Sequence, residues 1–145
     1  MTDRELDALV AEKVMGARWF GTEGADPPSL KVKLPRFMVY VLCLRGGEPN
    51  MPDWDVCGRP EIWNDSALDE IPHYSTDIKA AWEVVEKMRA DGFVGEFVQD
   101  VPDGASARFW DNPLFEAFTE TKMPADDTLP LAICLAALRA KGVKV

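Results

Sequence analysis

The only histidine of the chain lies just before a segment with the signature of a helix start. His73 and Tyr74 come directly before Ser75-Thr76-Asp77, and an amphipathic stripe follows. The first turn of a helix presents unpaired backbone amides, so it can bind an anion such as a phosphate. The alternative is structural: Ser75 or Thr76 caps the helix, and Asp77 stabilises the positive end of its dipole.

Aromatic side chains in turn-rich surroundings are a second group that could bind a ligand. An aromatic plane can stack on a nucleobase, and hydroxyl or guanidinium groups can hold the phosphate attached to it. The alternatives are that the tryptophans only pin loops to the core and that the arginine pairs with surface carboxylates. The predicted ligand-binding residues are Trp63, His73, Tyr74, Ser75, Thr76, Arg108 and Trp110.

Catalysis finds little support in the residue pattern. Cys43 and Cys134 fall in apolar runs where a thiol is buried and inert, and Cys57 has no histidine or aspartate partner at a recognisable spacing. The chain has no phosphate-binding glycine loop, nucleophile elbow or zinc-ligand spacing. We therefore predict a protein that is not an enzyme and that holds no metal and no cofactor. Pairs of acids that could bind a divalent ion, but that are usually solvated in loops, are Asp53/Asp55, Asp69/Glu70 and Asp126/Asp127.

Composition limits the partners. The 145 residues include 16 Lys and Arg against 25 Asp and Glu, a formal net charge of −9. Duplex nucleic acid is not expected as a partner, because binding it requires many cations that face phosphates. The apolar runs are shorter than the ~20 residues of a spanning helix, and the acidic start lacks a signal-peptide pattern. We expect one domain over residues 1–145, in a reducing cytoplasm and without membrane contact.

Three helices are predicted from capping signals and helical periodicity. A capping box, Thr2 with Glu5, opens the first helix at about 3–15. The second follows the triplet at 75–77, and the third runs from about 127 to 142. The predicted buried stripe of the second helix is Ile78, Ala81, Trp82, Val85 and Met88.

The remaining segments carry strand or turn signals. Turn residues crowd 17–29, which predicts a loop or short hairpin, and 48–72 is predicted to be a long irregular loop. Helices that cover a mostly antiparallel sheet make this an α+β fold. Strands are predicted at 30–34, 37–44, 93–101, 107–110 and 114–121, the last three as a meander.

Three of these pieces, taken together, resemble the phage ABA sandwich domain family of small phage and prophage proteins. They read ELDALVAEKVMG from residue 5, YSTDI with AAWEVVEKM from residues 74 and 80, and LPLAICLAAL from residue 129. The resemblance implies an α/β/α-type sandwich and implies no activity. The segment 18–72 is longer than the family's usual connection, so features particular to this chain are expected there.

Two functions follow from the resemblance and the candidate residues. The first is a phage-encoded, non-enzymatic binder that sequesters a small anionic, nucleotide-derived signal of host defence in the cytoplasm of a bacterial host. Such a binder is expected to be a closed homo-oligomer if its pockets lie between subunits. The alternative is a protein-interaction module that binds and inhibits a host protein through exposed aromatic residues. A third interpretation is a hydrolase that uses a loop acid such as Asp53 or Asp55.

Overall fold

The computed structural model describes residues 1–23, 38–44, 54–61, 63, 65–100, 104–111, 126 and 128–145. Contacts divide the chain into two compact units: one contains 1–16 with 72–145, and the other contains 17–71. One domain over the whole length stays a prediction. The strands predicted at 30–34 and 114–121 lie outside the described residues, as do Asp53 and Asp127.

The described residues of the first unit form three helices: α1 (Asp3–Lys13), α2 (Ile78–Ala90) and α3 (Leu129–Ala140). The predicted capping box is confirmed, because the Glu5 amide donates to Thr2 Oγ1 at 3.2 Å and the Thr2 amide donates to Glu5 Oε2 at 2.6 Å. These two bonds satisfy amides that a helix start would otherwise leave unpaired. Within the described part of the chain, no helix has the length and apolar character needed to cross a membrane.

A two-stranded antiparallel hairpin, β4 (Val94–Asp100) with β5 (Gly104–Trp110), supports the helices of this unit. Its register joins Val94 to Trp110 and Asp100 to Gly104, which confirms the predicted hairpin. Along β5, alternate residues are buried and pack towards α3, as expected for a strand with one covered face. On the far side of β5, Asp126 makes a single antiparallel bridge to Ala105.

Glycine at position 95 of β4 makes room for two aromatic rings. A Cβ there would lie 2.6 Å from a ring atom of Phe97 and 2.9 Å from one of Phe109, closer than real Cβ atoms come. The two rings meet edge to face with centroids 5.6 Å apart, and Phe97 meets Trp82 of α2 in the same way at 5.4 Å. These edge-to-face contacts couple the hairpin to the helix layer.

α3 is the centre of the helix layer, since α1, α2 and β5 all pack against it. The buried stripe predicted for α2 is correct for Ala81, Val85 and Met88, but wrong for Ile78 and Trp82, which are 46% and 47% exposed. Ala80 and Val84 are buried as well, so the buried face of α2 is centred on their side of the helix, away from Trp82. The buried apolar side chains of α2 and α3 are Ala80, Ala81, Val84, Val85, Met88, Ala132, Ile133, Cys134, Ala136, Ala137 and Leu138.

Where the structure describes the second unit, its strands form a three-stranded antiparallel sheet of order β2-β1-β3. Its strands are β1 (Arg18–Glu23), β2 (Met38–Cys43) and β3 (Asp55–Cys57), and a short 3-10 helix, Asp65–Leu68, packs against β2. Two predictions need correction here. Residues 18–23 form the central strand instead of a loop or short hairpin, and the loop predicted at 48–72 contains β3 and the 3-10 helix. Local turn residues were misleading because pairing with distant strands decides the conformation of this segment.

Candidate functional site

A buried carboxylate holds the segment that enters α2. Asp7 of α1 is fully buried, and its Oδ1 accepts the backbone amide of Ser75 at 2.8 Å. Its Oδ2 accepts Arg4 Nη1 at 2.9 Å, and His73 Nδ1 lies 3.9 Å from the same oxygen. Because a buried charge without partners is costly, these contacts make the carboxylate a structural anchor between residues 68 positions apart.

The start of α2 uses its own side chains to satisfy its amides. Asp77 is the N-cap, and its Oδ1 accepts the amide of Lys79 at 3.1 Å, so neither Ser75 nor Thr76 is the cap. Ser75 is 2% exposed, and its hydroxyl donates to the carbonyl of Asp3 at 3.3 Å. The carboxylates of Asp7 and Asp77 thus occupy the positions where the predicted phosphate would sit.

Tyr74 lies inside the first unit and not on its surface. The ring is fully buried, and its hydroxyl has no hydrogen-bond partner within the described part of the chain. Burial raises the pKa of this hydroxyl well above its ordinary value, and the negative charges of Glu83 and Asp7 raise it further. Stacking on a ligand requires a ring that the ligand can reach, and this ring is enclosed.

Arg108 and Trp110 lie together on β5, as their spacing of two residues predicts for one face of a strand. The Arg108 Nη2 atom donates to Glu96 Oε2 at 2.7 Å, and its guanidinium carbon lies 5.2 Å from the centroid of the Trp110 ring. The contact of Arg108 with Glu96 on the neighbouring strand is the surface ion pair that the sequence analysis gave as the alternative to phosphate binding. Arg108 Nε and Trp110 Nε1 are both buried without a partner in the described part.

Two further candidates belong to the second unit. Trp63 packs against Trp19 with ring centroids 5.7 Å apart, which is the loop-pinning arrangement. Cys57 on β3 is half-buried, and burial raises the pKa of its thiol. A raised thiol pKa lowers the thiolate fraction at neutral pH, so Cys57 lacks the activation that a catalytic cysteine needs.

The middle of α2 carries a cavity that the sequence did not indicate. It has a volume of about 240 Å³ and is lined by Trp82, Val85, Glu86 and Arg89. These residues recur at helical spacing on one side of α2, so an indole, a carboxylate and a guanidinium face the same space. The sequence signal was present as a stripe at i, i+4 and i+7, but helical periodicity alone assigned Trp82 to the core.

Asp7 is a second residue whose role the sequence analysis did not identify. It lies three residues before Val10 and seven before Val14, on the apolar face of α1, where an acid needs a partner. Its partner Ser75 is too distant in sequence for a spacing rule to find. Among the described residues, no group of three or more His, Cys, Asp or Glu side chains is arranged to hold a metal ion.

Comparisons with known proteins identify a solved structure and a family that this chain is similar to. A crystal structure of a phage protein from Bacillus cereus ATCC 14579 is 21% identical, with a TM-score of 0.49 over 100% of this chain and 92% of that chain. No curated protein matches the chain. The model of the phage ABA sandwich domain family matches residues 8–138, which include all of α2, α1 without its first five residues and α3 without its last two. The α+β fold expected from the sequence is confirmed, and the chain belongs to the phage ABA sandwich domain family.

Proposed function

We propose that the chain binds a small anionic ligand of nucleotide type at the cavity of α2 and sequesters it without chemical change. The observation that carries the proposal is that a half-exposed tryptophan and an arginine line the same cavity on one side of a helix. The proposal keeps the ligand class expected from the sequence and moves its site from the start of α2 to Trp82 and Arg89.

Trp82 has the surface that a stacking interaction requires. Phe97 meets it edge to face at an interplanar angle of 76°, and 47% of the residue stays exposed. The contact with Phe97 restrains the indole and so lowers the entropy that binding would otherwise lose. Stacking of one base on an aromatic side chain contributes about 1–3 kcal/mol.

Arg89 supplies the positive charge. It follows Trp82 by seven residues, which places their Cα atoms about 10 Å apart along the helix. In the described part of the chain, no carboxylate forms a salt bridge with Arg89. A guanidinium without an internal partner can form two parallel hydrogen bonds to a phosphate.

The cavity suits binding better than turnover. Its volume, about 240 Å³, is below the ~300–1,000 Å³ of most ligand pockets, so it fits a base and sugar better than a larger molecule. Glu86 is the single acid among the four lining residues, and no nucleophile accompanies it. A general acid and base pair, or an activated nucleophile, would be needed for hydrolysis.

A thermal-shift screen against mono-, di- and cyclic nucleotides and ADP-ribose tests the proposal. A ligand at ~100 times its dissociation constant adds about 2.7 kcal/mol to the free energy of unfolding and raises Tm by several degrees. Trp82→Ala and Arg89→Ala should each reduce the shift. Arg139→Ala, which removes an exposed arginine from α3, should leave it unchanged.

The outcome also separates binding from catalysis. Chromatography of a hit should return the ligand intact and in stoichiometric amount. A ligand that is consumed, or a shift that survives both α2 variants, contradicts sequestration at this cavity.

The second candidate is a protein-interaction module that blocks a host protein. Its specific support is the face of the hairpin that bears Val94 and Val98, which are 39% and 40% exposed beside the Glu96–Arg108 pair. Apolar residues next to a charged pair are typical of interface centres and rims. A host polypeptide captured by the native chain but not by Val98→Asp would favour this candidate. No nucleotide should then shift Tm.

A further inference from the structure

The outer edge of β4 can be located from hydrogen bonds on the other side of its partner strand. The amide of Ala105 donates to the carbonyl of Asp126 at 2.8 Å, and the Asp126 amide donates back at 2.7 Å. Both backbone groups of Ala105 therefore point away from β4, so its pair with Gln99 is not hydrogen-bonded. Antiparallel pairs alternate, which means that Gly95, Phe97 and Gln99 direct their amides and carbonyls away from β5.

These outward backbone groups have no partner among the described residues. The hydrogen bonds outside the regular ladders involve none of Gly95, Phe97 and Gln99. A strand edge of this kind pairs readily with another strand, and natural proteins blunt such edges with lysine, proline or a bulge. β4 has the sequence VGEFVQD and carries neither lysine nor proline.

We propose that this edge pairs with β4 of a second copy of the chain, antiparallel and about a two-fold axis at Phe97. Gly95 then pairs with Gln99 of the other copy, Phe97 pairs with its own counterpart, and Gln99 pairs with Gly95. Every outward amide and carbonyl of these three residues gains a partner. The contact is isologous, so it closes at two copies and uses the β4 edge of both.

Charge selects this register over its neighbour. An axis at Glu96 would place the two Glu96 carboxylates directly opposite each other, and like charges opposite each other destabilise a sheet. With the axis at Phe97, Glu96 faces Val98 instead. Glu96 is also paired with Arg108 at 2.7 Å within its own copy, which reduces the repulsion between two chains of net charge −9.

Side chains on the face of β4 that packs against the helices also favour pairing with a second copy of the chain. In this register the two Phe97 rings become neighbours across the strands, and aromatic cross-strand pairs are stabilising. Trp82 already contacts Phe97 from α2 while 47% of it is exposed. A strand added beside Phe97 buries more of the Phe97 ring, so pairing buries apolar surface as well as backbone.

Sedimentation of the full chain over a wide concentration range, with no ligand present, tests the proposal independently of the proposed function. The native chain should form a dimer. Gln99→Pro removes an outward amide that β5 does not use and should give a monomer, whereas Gln99→Ala keeps the amide and should remain a dimer. A monomeric native chain, or a Gln99→Pro dimer with unchanged dissociation constant, overturns the proposal.

A disulfide experiment checks the register without the proline. Opposed residues of a pair that is not hydrogen-bonded have Cα atoms about 4.5 Å apart, within the range of a disulfide. In a Cys57→Ser background, a mixture of Glu96→Cys and Val98→Cys chains should form a cross-linked dimer on mild oxidation. Glu96→Cys alone should not. Cross-linking of Glu96→Cys alone, or none in the mixture, contradicts the register.

Discussion

The start of α2 and its later turns differ in whether their functional groups have partners within the chain. At the start, Ser75 and Asp77 take part in hydrogen bonds with the chain itself, and the buried carboxylate of Asp7 accepts two donors. Further along the helix, Trp82 is half-exposed, and Arg89 in the last turn forms no salt bridge with the described residues.

The comparison teaches that a helix start is a poor guide to a binding site when an acid lies nearby. The backbone amides that attract phosphate also attract aspartate, and an aspartate within the chain needs no loss of translational freedom to bind them. Groups that lack an internal partner gain more from an external one. Sites for a ligand or a second copy are therefore expected at the middle of α2 and the edge of β4.

The largest effect is expected from removal of the anchor at the start of α2. Asp7→Ala leaves Arg4 and the Ser75 amide without their carboxylate, and loss of one partner of a buried pair costs about 3–5 kcal/mol. Urea unfolding should show a loss near the lower end, about 3 kcal/mol, because Arg4 is 19% exposed. Asp69→Ala, at an exposed position, should change the free energy by less than about 0.5 kcal/mol. Equal effects would refute the anchor.

Replacement of Trp82 tests the other side of the comparison. A buried tryptophan replaced by alanine costs about 3–5 kcal/mol, but half of this one is already in water, so Trp82→Ala should cost about 1–2 kcal/mol. Leu138→Ala, at a fully buried position of α3, should cost about 3 kcal/mol. Thermal or urea unfolding measures both. A larger loss of unfolding free energy for Trp82→Ala than for Leu138→Ala would mean that Trp82 is a core residue.

The residue that caps α2 can be identified by two neighbouring substitutions. Asp77→Ala removes the acceptor of the Lys79 amide and should lower the free energy of unfolding by about 1 kcal/mol. Thr76→Ala should have little effect, because Thr76 is exposed and is not the cap. The reverse order in urea unfolding would mean that the helix begins earlier.

The smallest effect concerns the other end of α2, where Asp91 accepts Lys87 Nζ and Lys141 Nζ, each at 2.9 Å. Hydrogen bonds from Lys141 and Lys87 lower the pKa of this carboxyl. Its contribution is therefore complete above the ordinary aspartate pKa and is lost as the pH falls through the lowered value. Asp91→Asn should cost about 0.5 kcal/mol near neutral pH, since water screens the contacts, and nothing in strong acid. A cost that persists in acid would assign the effect to packing.

Local patterns predicted the helices well. The capping box at Thr2 and the apolar run that forms α3 involve residues a few positions apart. Such residues are neighbours on a helix, so the local sequence is enough to predict their contacts. β1 was predicted poorly, since Trp19 and Gly21 belong to a strand through their pairing with Leu42 and Tyr40. Such pairing is invisible to rules that consider only neighbouring residues.

The candidate site was harder to predict than the fold. Trp82 is exposed because the buried face of α2 is centred nearer to Ala80 and Val84, and the helical period alone does not fix where a buried face is centred. The pairing of Ser75 with Asp7 joins residues 68 positions apart, and no spacing rule covers that distance. Arg108 and Trp110 lie side by side because residues two apart on a strand share a face, and their role in ligand binding stays a prediction.

The order of segments in the first unit has a consequence for synthesis in the cell. α1 packs against α3, yet residues 17–71 and α2 with its hairpin lie between them in the chain. At about 5–20 residues per second, the 116 positions from Lys13 to Leu129 take roughly 6–23 s to translate. During that interval the apolar face of α1 has no α3 to cover it, whereas the second unit is one continuous stretch of chain, 17–71. Residues 17–71 can therefore fold on the ribosome before synthesis of the first unit is complete.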